Sequence, residues 1–435
     1  MQELKLKFNS ADTKFAGLEQ GKEYLLSSAE DKSAIENALG ISLPEVGATE
    51  AVLDFTSLLP QLMTDKGATV TSTIEVDVKA NNRWASEDAT VNRVYTLKCN
   101  KPEFSIVTNP GNFWCKEFSV DSCDIKTGDI ETISQKIQYQ YRKKGDEQWI
   151  DCDRLVQFDD YPVDKQYQIR AVYREGIETE PVDVVLETPQ QLPNSDMEEW
   201  YIEEKKKSGT WPFKDKTYYT FHPYAEGNAS SSWWATNNDK AQGGTYALGI
   251  WYEGCFASCV SYTEDAHGGT KAALMYLSGC GDGYANTAGT YVGGAMVGSL
   301  FIGTYDSGII QGHDFDSRPT SMSFWYKYKP YNSDAFKVVV SLKNGDREIA
   351  TGTYEPAASS EEDGEYGHAT VDFNYTEPFE KATSICVQFL ASNKTSLSQS
   401  DFDLGTTITY PVIGDWTVHM GSILKIDDIS LAFDK

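Results

Sequence analysis

Apolar and polar positions alternate with a period of two along most of this chain. Leu4, Leu6 and Phe8 alternate with Lys5 and Lys7, and Ile74, Val76 and Val78 with Glu75, Asp77 and Lys79. Each run predicts a strand with one buried face, and Val94 to Cys99 predicts another. A short helix is expected from Ser28 to Leu39, with Ser28 as its cap and Gly40 as its stop. Tyr167, Ile169 and Ala171 against Gln168 and Arg170 mark a strand of a second module. The segment Thr188 to Pro193 reads as a linker, because two prolines stiffen a short polar run. Beyond it, Met322, Phe324, Tyr326 and Tyr328 share one face of a long strand. Phe336, Val338, Val340 and Leu342 form the next, closed by the turn pair Asn344-Gly345. Val371, Phe373 and Tyr375, then Ile385, Val387 and Phe389, continue the series. The expected fold is all-β and multi-domain. It comprises a small mostly-β domain at 1–102, a β-sandwich at 103–190 and a jelly-roll sandwich at 191–435.

The last strand departs from strict alternation. Leu424 and Ile426 keep one phase, while Ile429, Leu431 and Phe433 keep the other. The slip falls on Asp427-Asp428 and predicts a β-bulge, which re-aims side chains. A carboxylate turned inward this way needs a compensating partner, and a calcium ion with oxygen ligands is one solution.

Composition narrows the function classes. The formal charge is −27 over 435 residues, which disfavours nucleic acid and anionic membranes as partners. Neutral glycans and divalent cations remain compatible. No apolar run approaches the ~20 residues of a spanning helix. Met1 is followed directly by Gln2-Glu3-Leu4-Lys5 with no export segment, which suits either a cytosolic protein or a chain already trimmed of its leader. Aromatics make up 12%, with 25 Tyr and 10 Trp, a richness typical of secreted β-proteins. Eight cysteines show no CxxC pair, so a zinc ribbon is not expected. Cys255 and Cys259 read either as a local disulfide or as buried thiols.

No G-x-S-x-G elbow, HExxH motif or P-loop occurs. The five histidines are scattered singly. Trp211, Tyr218, Tyr219, Trp233, Trp234, Trp251 and Tyr252 cluster early in the third domain, beside Asn237, Asn238 and Asp239. Rings that stack on the apolar faces of sugars, flanked by amides and carboxylates, are the pattern of a glycan platform. In a strand, Trp233 and Trp234 point to opposite faces, so at most one belongs to the core.

Two resemblances sharpen these expectations. Residues 103–189 resemble a fibronectin type III module on the pattern from Ile137 to Thr188, with Tyr167 matching that family's corner tyrosine. Residues 192–434 resemble the carbohydrate metabolism domain of Bacteroidetes surface proteins, a jelly roll like a carbohydrate-binding module. The match rests on Leu192-Pro193-Asn194, Glu198-x-Trp200, Trp233-Trp234 with Asn237, Ser323 to Tyr328, and the closing Asp427-Asp428. The resemblance implies a structural Ca²⁺ held by Glu198 and Asp428, with Asp196 and Asp427 as further ligands. It also implies an extracellular lipoprotein on a bacterial surface, with its anchor removed. The expected function is non-catalytic binding of a poly- or oligosaccharide through Trp233, Trp234, Asn237, Trp251 and Tyr252, with the N-terminal β-domains as a stalk. Two alternatives stand beside it: a glycoside hydrolase or lyase on the same scaffold, and an adhesive protein that binds other surface proteins.

Overall fold

The structure is a computed structural model describing residues 1–10, 18–50, 52–53, 70–80, 89–99, 102–127, 130–174, 177–208, 215–242, 246–247, 250–251, 257–278, 284–285, 291–292, 296–306, 308–356 and 364–435. It is all-β and multi-domain, and it divides into two compact units. The first holds residues 1–109, 119–156 and 166–184; the second holds 110–118, 157–165 and 185–435.

In the first unit, β1 (Glu3–Ser10), β2 (Glu23–Leu25), β3 (Val70–Ala80) and β4 (Ala89–Cys99) form a sheet ordered β2-β1-β3-β4. Leu4, Leu6, Phe8, Ile74 and Val76 are buried on one face, as their alternation demands. Helix α1 (Ala29–Leu39) begins where the Ser28 side chain accepts the Asp31 amide, and it ends at Gly40 with φ 63°. A second sheet pairs β5 (Gln138–Lys143) with β6 (Gln166–Arg174). Its Tyr167, Ile169 and Ala171 are buried.

The second unit is a sandwich of two antiparallel sheets among the described residues. One is eight-stranded and runs β7 (Trp234–Thr236), β11 (Ser299–Tyr305), β16 (Ser384–Leu390), β13 (Lys337–Asn344), β14 (Arg347–Tyr354) and Asn374–Tyr375, with two short strands beside this path. The other is seven-stranded and runs β8 (Val260–Thr263), β9 (Ala272–Ser278), β18 (Gly414–Ala432), β12 (Ser321–Lys329) and β15 (Gly367–Asp372), with the short β10 (Met296–Val297) also paired to β9. Strand β17 (Asp403–Tyr410) hairpins onto β18. Trp234, Val338, Val340 and Phe389 from the first sheet pack in one core with Met275, Phe324, Leu424 and Ile426 from the second. The Phe324 and Phe389 rings meet edge to face at 5.3 Å. Gly345 adopts φ 58° in the hairpin between β13 and β14, where only a residue tolerant of the left-handed region turns without strain.

The expected bulge is present in β18. Ser323 of β12 opposes Ser430 and Trp325 opposes Asp427, so the single residue Phe324 of β12 faces two residues of β18, Asp428 and Ile429. Asp428 takes φ 44°, a left-handed conformation that Asp tolerates better than most residues. The extra residue lets Leu424 and Ile426 on one side, and Ile429, Leu431 and Phe433 on the other, all reach the same core. It also frees backbone groups, and the segment entering the sandwich takes them up. The Gln191 side chain bonds both the amide and the carbonyl of Leu431, and Ser195 O accepts the Ile429 amide.

A buried charge cluster fastens another part of this unit. Arg318 is 1% exposed, with its guanidinium 3.7 Å over the Trp114 ring. Nε donates to Glu187 Oε1 at 2.8 Å, and the two Nη atoms reach Pro378 O and Phe113 O. Lys381 Nζ donates to the same Glu187 oxygen at 2.6 Å. Burial pulls the Lys381 pKa below its ordinary value against the pull of Glu187. Glu187 Oε2 is buried with no hydrogen-bond partner among the described residues.

Candidate functional site

The site builds outward from a hairpin. Strand Tyr201–Lys207 pairs antiparallel with Lys216–His222, and Tyr201 lies directly opposite His222. Side chains two apart in a strand share a face, so Tyr201, Glu203 and Lys205 stand on the outer side. Phe221 points the other way into the core and is 1% exposed. Tyr201 and His222 stack at 5.9 Å, and His222 stacks on Tyr224 at 5.2 Å. The three half-buried rings form a continuous aromatic shelf.

Charged groups edge this shelf. His222 Nε2 lies 2.9 Å from Glu203 Oε2. Lys205 Nζ bridges Glu203 at 3.3 Å and Asp239 at 2.7 Å. Burial pulls the Lys205 pKa down, but Asp239 and Glu203 outweigh it and hold the ammonium above its ordinary value. Burial, aided by the Glu203 and Asp239 charges, pushes the Tyr224 hydroxyl up, so it stays a neutral donor. Beside the shelf opens a cavity of about 230 Å³, with His222, Tyr224, Ser232, Asp239, Thr304 and Tyr305 in its lining. That is smaller than the roughly 300–1,000 Å³ of pockets enclosing drug-sized ligands, and it suits a single ring at the end of a chain.

The residues nominated from sequence fall on both sides of this surface. Trp234 is 1% exposed, and its Nε1 donates to Pro193 O. It belongs to the core, with only an edge on the cavity. Trp233 faces the opposite side, half-buried, stacked on His313 at 4.1 Å. Asn237 does not face a ligand. It is buried, donates to Val297 O and accepts the Ser299 amide, because the buried backbone there needs those bonds. Its neighbour Asn238 bonds Phe221 O and Val260 O in the same way. Trp251 lies in a short strand opposite Tyr246, while its side chain and the whole of Tyr252 lie outside the described residues. Cys259 is a free buried thiol whose pKa burial raises to about 12; Cys255 lies outside the described residues. The sequence did carry the missed shelf, in the alternation Tyr201-x-Glu203-x-Lys205 and the pair His222-x-Tyr224.

The acids expected to hold calcium meet, but around a loop of the chain. Glu198 accepts the Thr270 and Lys271 amides on Oε1 and the Thr270 hydroxyl on Oε2. Asp427 is fully buried; its Oδ2 accepts the His267 and Gly268 amides and its Oδ1 the Asp428 amide. Asp428 Oδ2 lies 2.6 Å from His267 Nδ1, and that ring stacks on Trp325 at 3.8 Å. Asp196 is exposed and takes no part. Gly268 and Gly269 leave room for this close approach, since a Cβ would lie 2.6 Å from Asp428 Oδ2 at the first and 2.1 Å from Glu198 Oε1 at the second and would push those carboxylates aside. The oxygens of Glu198 and Asp427 therefore face N–H and O–H donors, which would have to turn away to admit a cation. Among the described residues no three His, Cys, Asp or Glu side chains group as a metal site. The arrangement does not fit a shared calcium ion. Thermal melts in calcium and in EDTA should coincide, and Glu198→Gln should lower both equally. A rise in melting temperature specific to calcium would reverse this conclusion.

The latch also sets a pH response. Burial raises the Glu198 pKa, but the Thr270 and Lys271 donors outweigh it and hold the group below its ordinary 4.5. Its stabilising contribution is therefore complete above the unfolded value and is lost as pH falls through the lower folded value. Between about pH 6 and pH 3, Glu198→Gln should lose less melting temperature than the parent chain. Parallel curves for the two would show that the latch carries no charge.

No family model and no curated protein matches the chain. Among solved structures it is similar to carbohydrate-binding modules from the β-sandwich superfamily, with 8% identity, 76% of this chain and 97% of that one covered, and a TM-score of 0.23. A CBM4 structure matches at 13% identity, with 32% and 75% covered and a TM-score of 0.15. The enzymatically active domain of tailspike protein 4 from bacteriophage CBA120 matches at 11% identity and a TM-score of 0.23. That match covers 46% of this chain, and the chain spans only 19% of the tailspike domain.

Proposed function

We propose that the second unit binds a glycan without cleaving it, as part of a bacterial surface protein whose N-terminal β-domains carry it. The aromatic shelf of Tyr201, His222 and Tyr224 is the observation behind this reading. Its rings offer an apolar face to a pyranose, and groups at its edge suit the sugar hydroxyls. Glu203 and Asp239 supply acceptor oxygens, both tied to the Lys205 ammonium.

A glycan array followed by titration of the best ligand tests the proposal. Tyr224→Ala should weaken binding about tenfold, the scale of one lost ring contact, and Asp239→Ala should weaken it as well, both with unchanged melts. Binding unaffected by either substitution would remove the shelf from consideration. Release of reducing ends from the bound glycan would favour the hydrolase alternative.

A further inference from the structure

A second cavity lies on the outer face of the seven-stranded sheet, and its chemistry differs from that of the shelf. It is a groove of about 360 Å³, open along β17 and β18. Every charged residue lining it is a lysine: Lys327, Lys329 and Lys425. In a chain of net charge −27 this is a local reversal of sign. Lys327 and Lys425 are direct partners in the register of β12 and β18. Like charges placed opposite one another in a sheet are destabilising, so holding this pair together needs a reason. Asp265 supplies the counter-charge, with Oδ1 2.8 Å from Lys327 Nζ and Oδ2 2.6 Å from Lys425 Nζ. Burial pushes the Asp265 carboxyl up, but the two lysines outweigh it and hold it below the ordinary range, so it remains ionised. One carboxylate thus positions two ammonium groups. Each ammonium has three donors, and its bond to Asp265 uses one of them.

The rest of the lining completes a recognisable ligand shape. Ile423, Met420 and Leu274 line it with apolar side chains, and Thr263, Thr407 and Thr409 line it too, with Thr263 Oγ1 accepting the Asp265 amide and Thr409 Oγ1 donating to Asp415. The volume falls within the roughly 300–1,000 Å³ of ligand pockets. An apolar lining, threonines and a paired cation match a pyranose that carries a carboxylate. We propose that this groove binds a hexuronate unit of an acidic glycan, with its carboxylate on Lys327 and Lys425 and its ring against Ile423 and Met420. Asp265 is the positioning residue. The groove and the shelf are separate sites, and this inference does not depend on the shelf.

Calorimetric titration of the whole chain with a panel of short oligouronates provides the test. The panel comprises galacturonate, glucuronate and mannuronate chains, each beside its methyl ester and a dextran sulfate of matched length. The expected result is that at least one oligouronate binds while its ester does not. Lys327→Met and Lys425→Met should each weaken that binding about tenfold or more, the scale of a lost charge-assisted bond. Thr407→Phe, at an exposed position, should block the groove even if the lysine variants fold poorly. Tyr224→Ala should leave oligouronate binding intact. The inference is overturned if no oligouronate binds, if ester and acid bind alike, or if Lys327→Met, Lys425→Met and Thr407→Phe bind as the parent does. It is equally overturned if dextran sulfate, a polyanion without carboxylates, binds as well as the uronates, since that would be unspecific attraction of anions. Neutral glycans binding at the shelf while oligouronates fail would sink the groove and leave the shelf standing.

Discussion

Replacing Arg318 with methionine should destabilise the second unit by about 3–5 kcal/mol, the cost of removing one partner from a buried ion pair. The substitution keeps apolar bulk over Trp114 but leaves Glu187 with Lys381 as its remaining cation. Lys381 is a weak substitute, because burial already lowers its pKa. It also removes the donors that satisfy Phe113 O and Pro378 O. The melting temperature should fall by roughly 10 °C, taking ~2–4 °C per kcal/mol for a domain of this size. Arg318→Lys should fall between the two, since it keeps the charge and loses the planar fork. Adding Glu187→Leu to Arg318→Met should recover part of the loss, because an uncompensated buried carboxylate costs more than none. A single variant that melts with the parent would mean that the cluster is hydrated and contributes little.

Asp427→Ala carries the second largest expected effect. It strips acceptors from the amides of His267, Gly268 and Asp428 at once. The three donors are part-buried, so at about 1 kcal/mol for each one left unpaired the loss should be on the order of 3 kcal/mol. Hydrogen exchange is the sharper measurement. Protection should vanish at 267–271 first, while the core of β9 stays protected. Asp427→Asn should cost less, since one acceptor oxygen survives. The pH response of this residue is opposite to that of Glu198. Burial, with help from Asp428, raises the Asp427 pKa above 3.8 despite three backbone donors. Its ionisation in the folded state thus lowers stability as pH rises from 3.8 through the folded value.

Much of the second unit was legible because alternation is a direct record of burial. Phe324, Val338, Val340 and Phe389 lie in the core that their period of two requires. The bulge was legible for the same reason, as a change of phase at Asp427-Asp428. What the acids do there was not legible. A sequence shows that carboxylates converge, but it does not show whether a cation or a run of amides meets them. Gly268-Gly269 was the missed signal, since a glycine pair lets a backbone approach an acid closely. The aromatic cluster was partly misplaced for a related reason. Asn237 and Trp234 have the chemistry of a sugar site, yet the core uses both, one for backbone bonds and one for bulk. The shelf escaped notice because His222 was considered singly, without its cross-strand partner Tyr201. Arg318 and Glu187 are 131 residues apart, and no local pattern joins them.

The added residue in β18 has a consequence for how this chain can change over generations. Deleting Asp428 itself would restore the strand's period of two and keep Ile429, Leu431 and Phe433 inward, at the cost of the bulge and of the carboxylate opposite His267. A single deletion elsewhere in β18 would instead send the residues beyond it to the opposite face and shift the match with Gln191 and Ser195. A change of two residues would restore the parity of the faces but still pull that match apart. The closing strand therefore behaves as a reading frame with one tolerant position, the bulge, where loss of a single codon leaves the faces in phase while the same loss elsewhere does not.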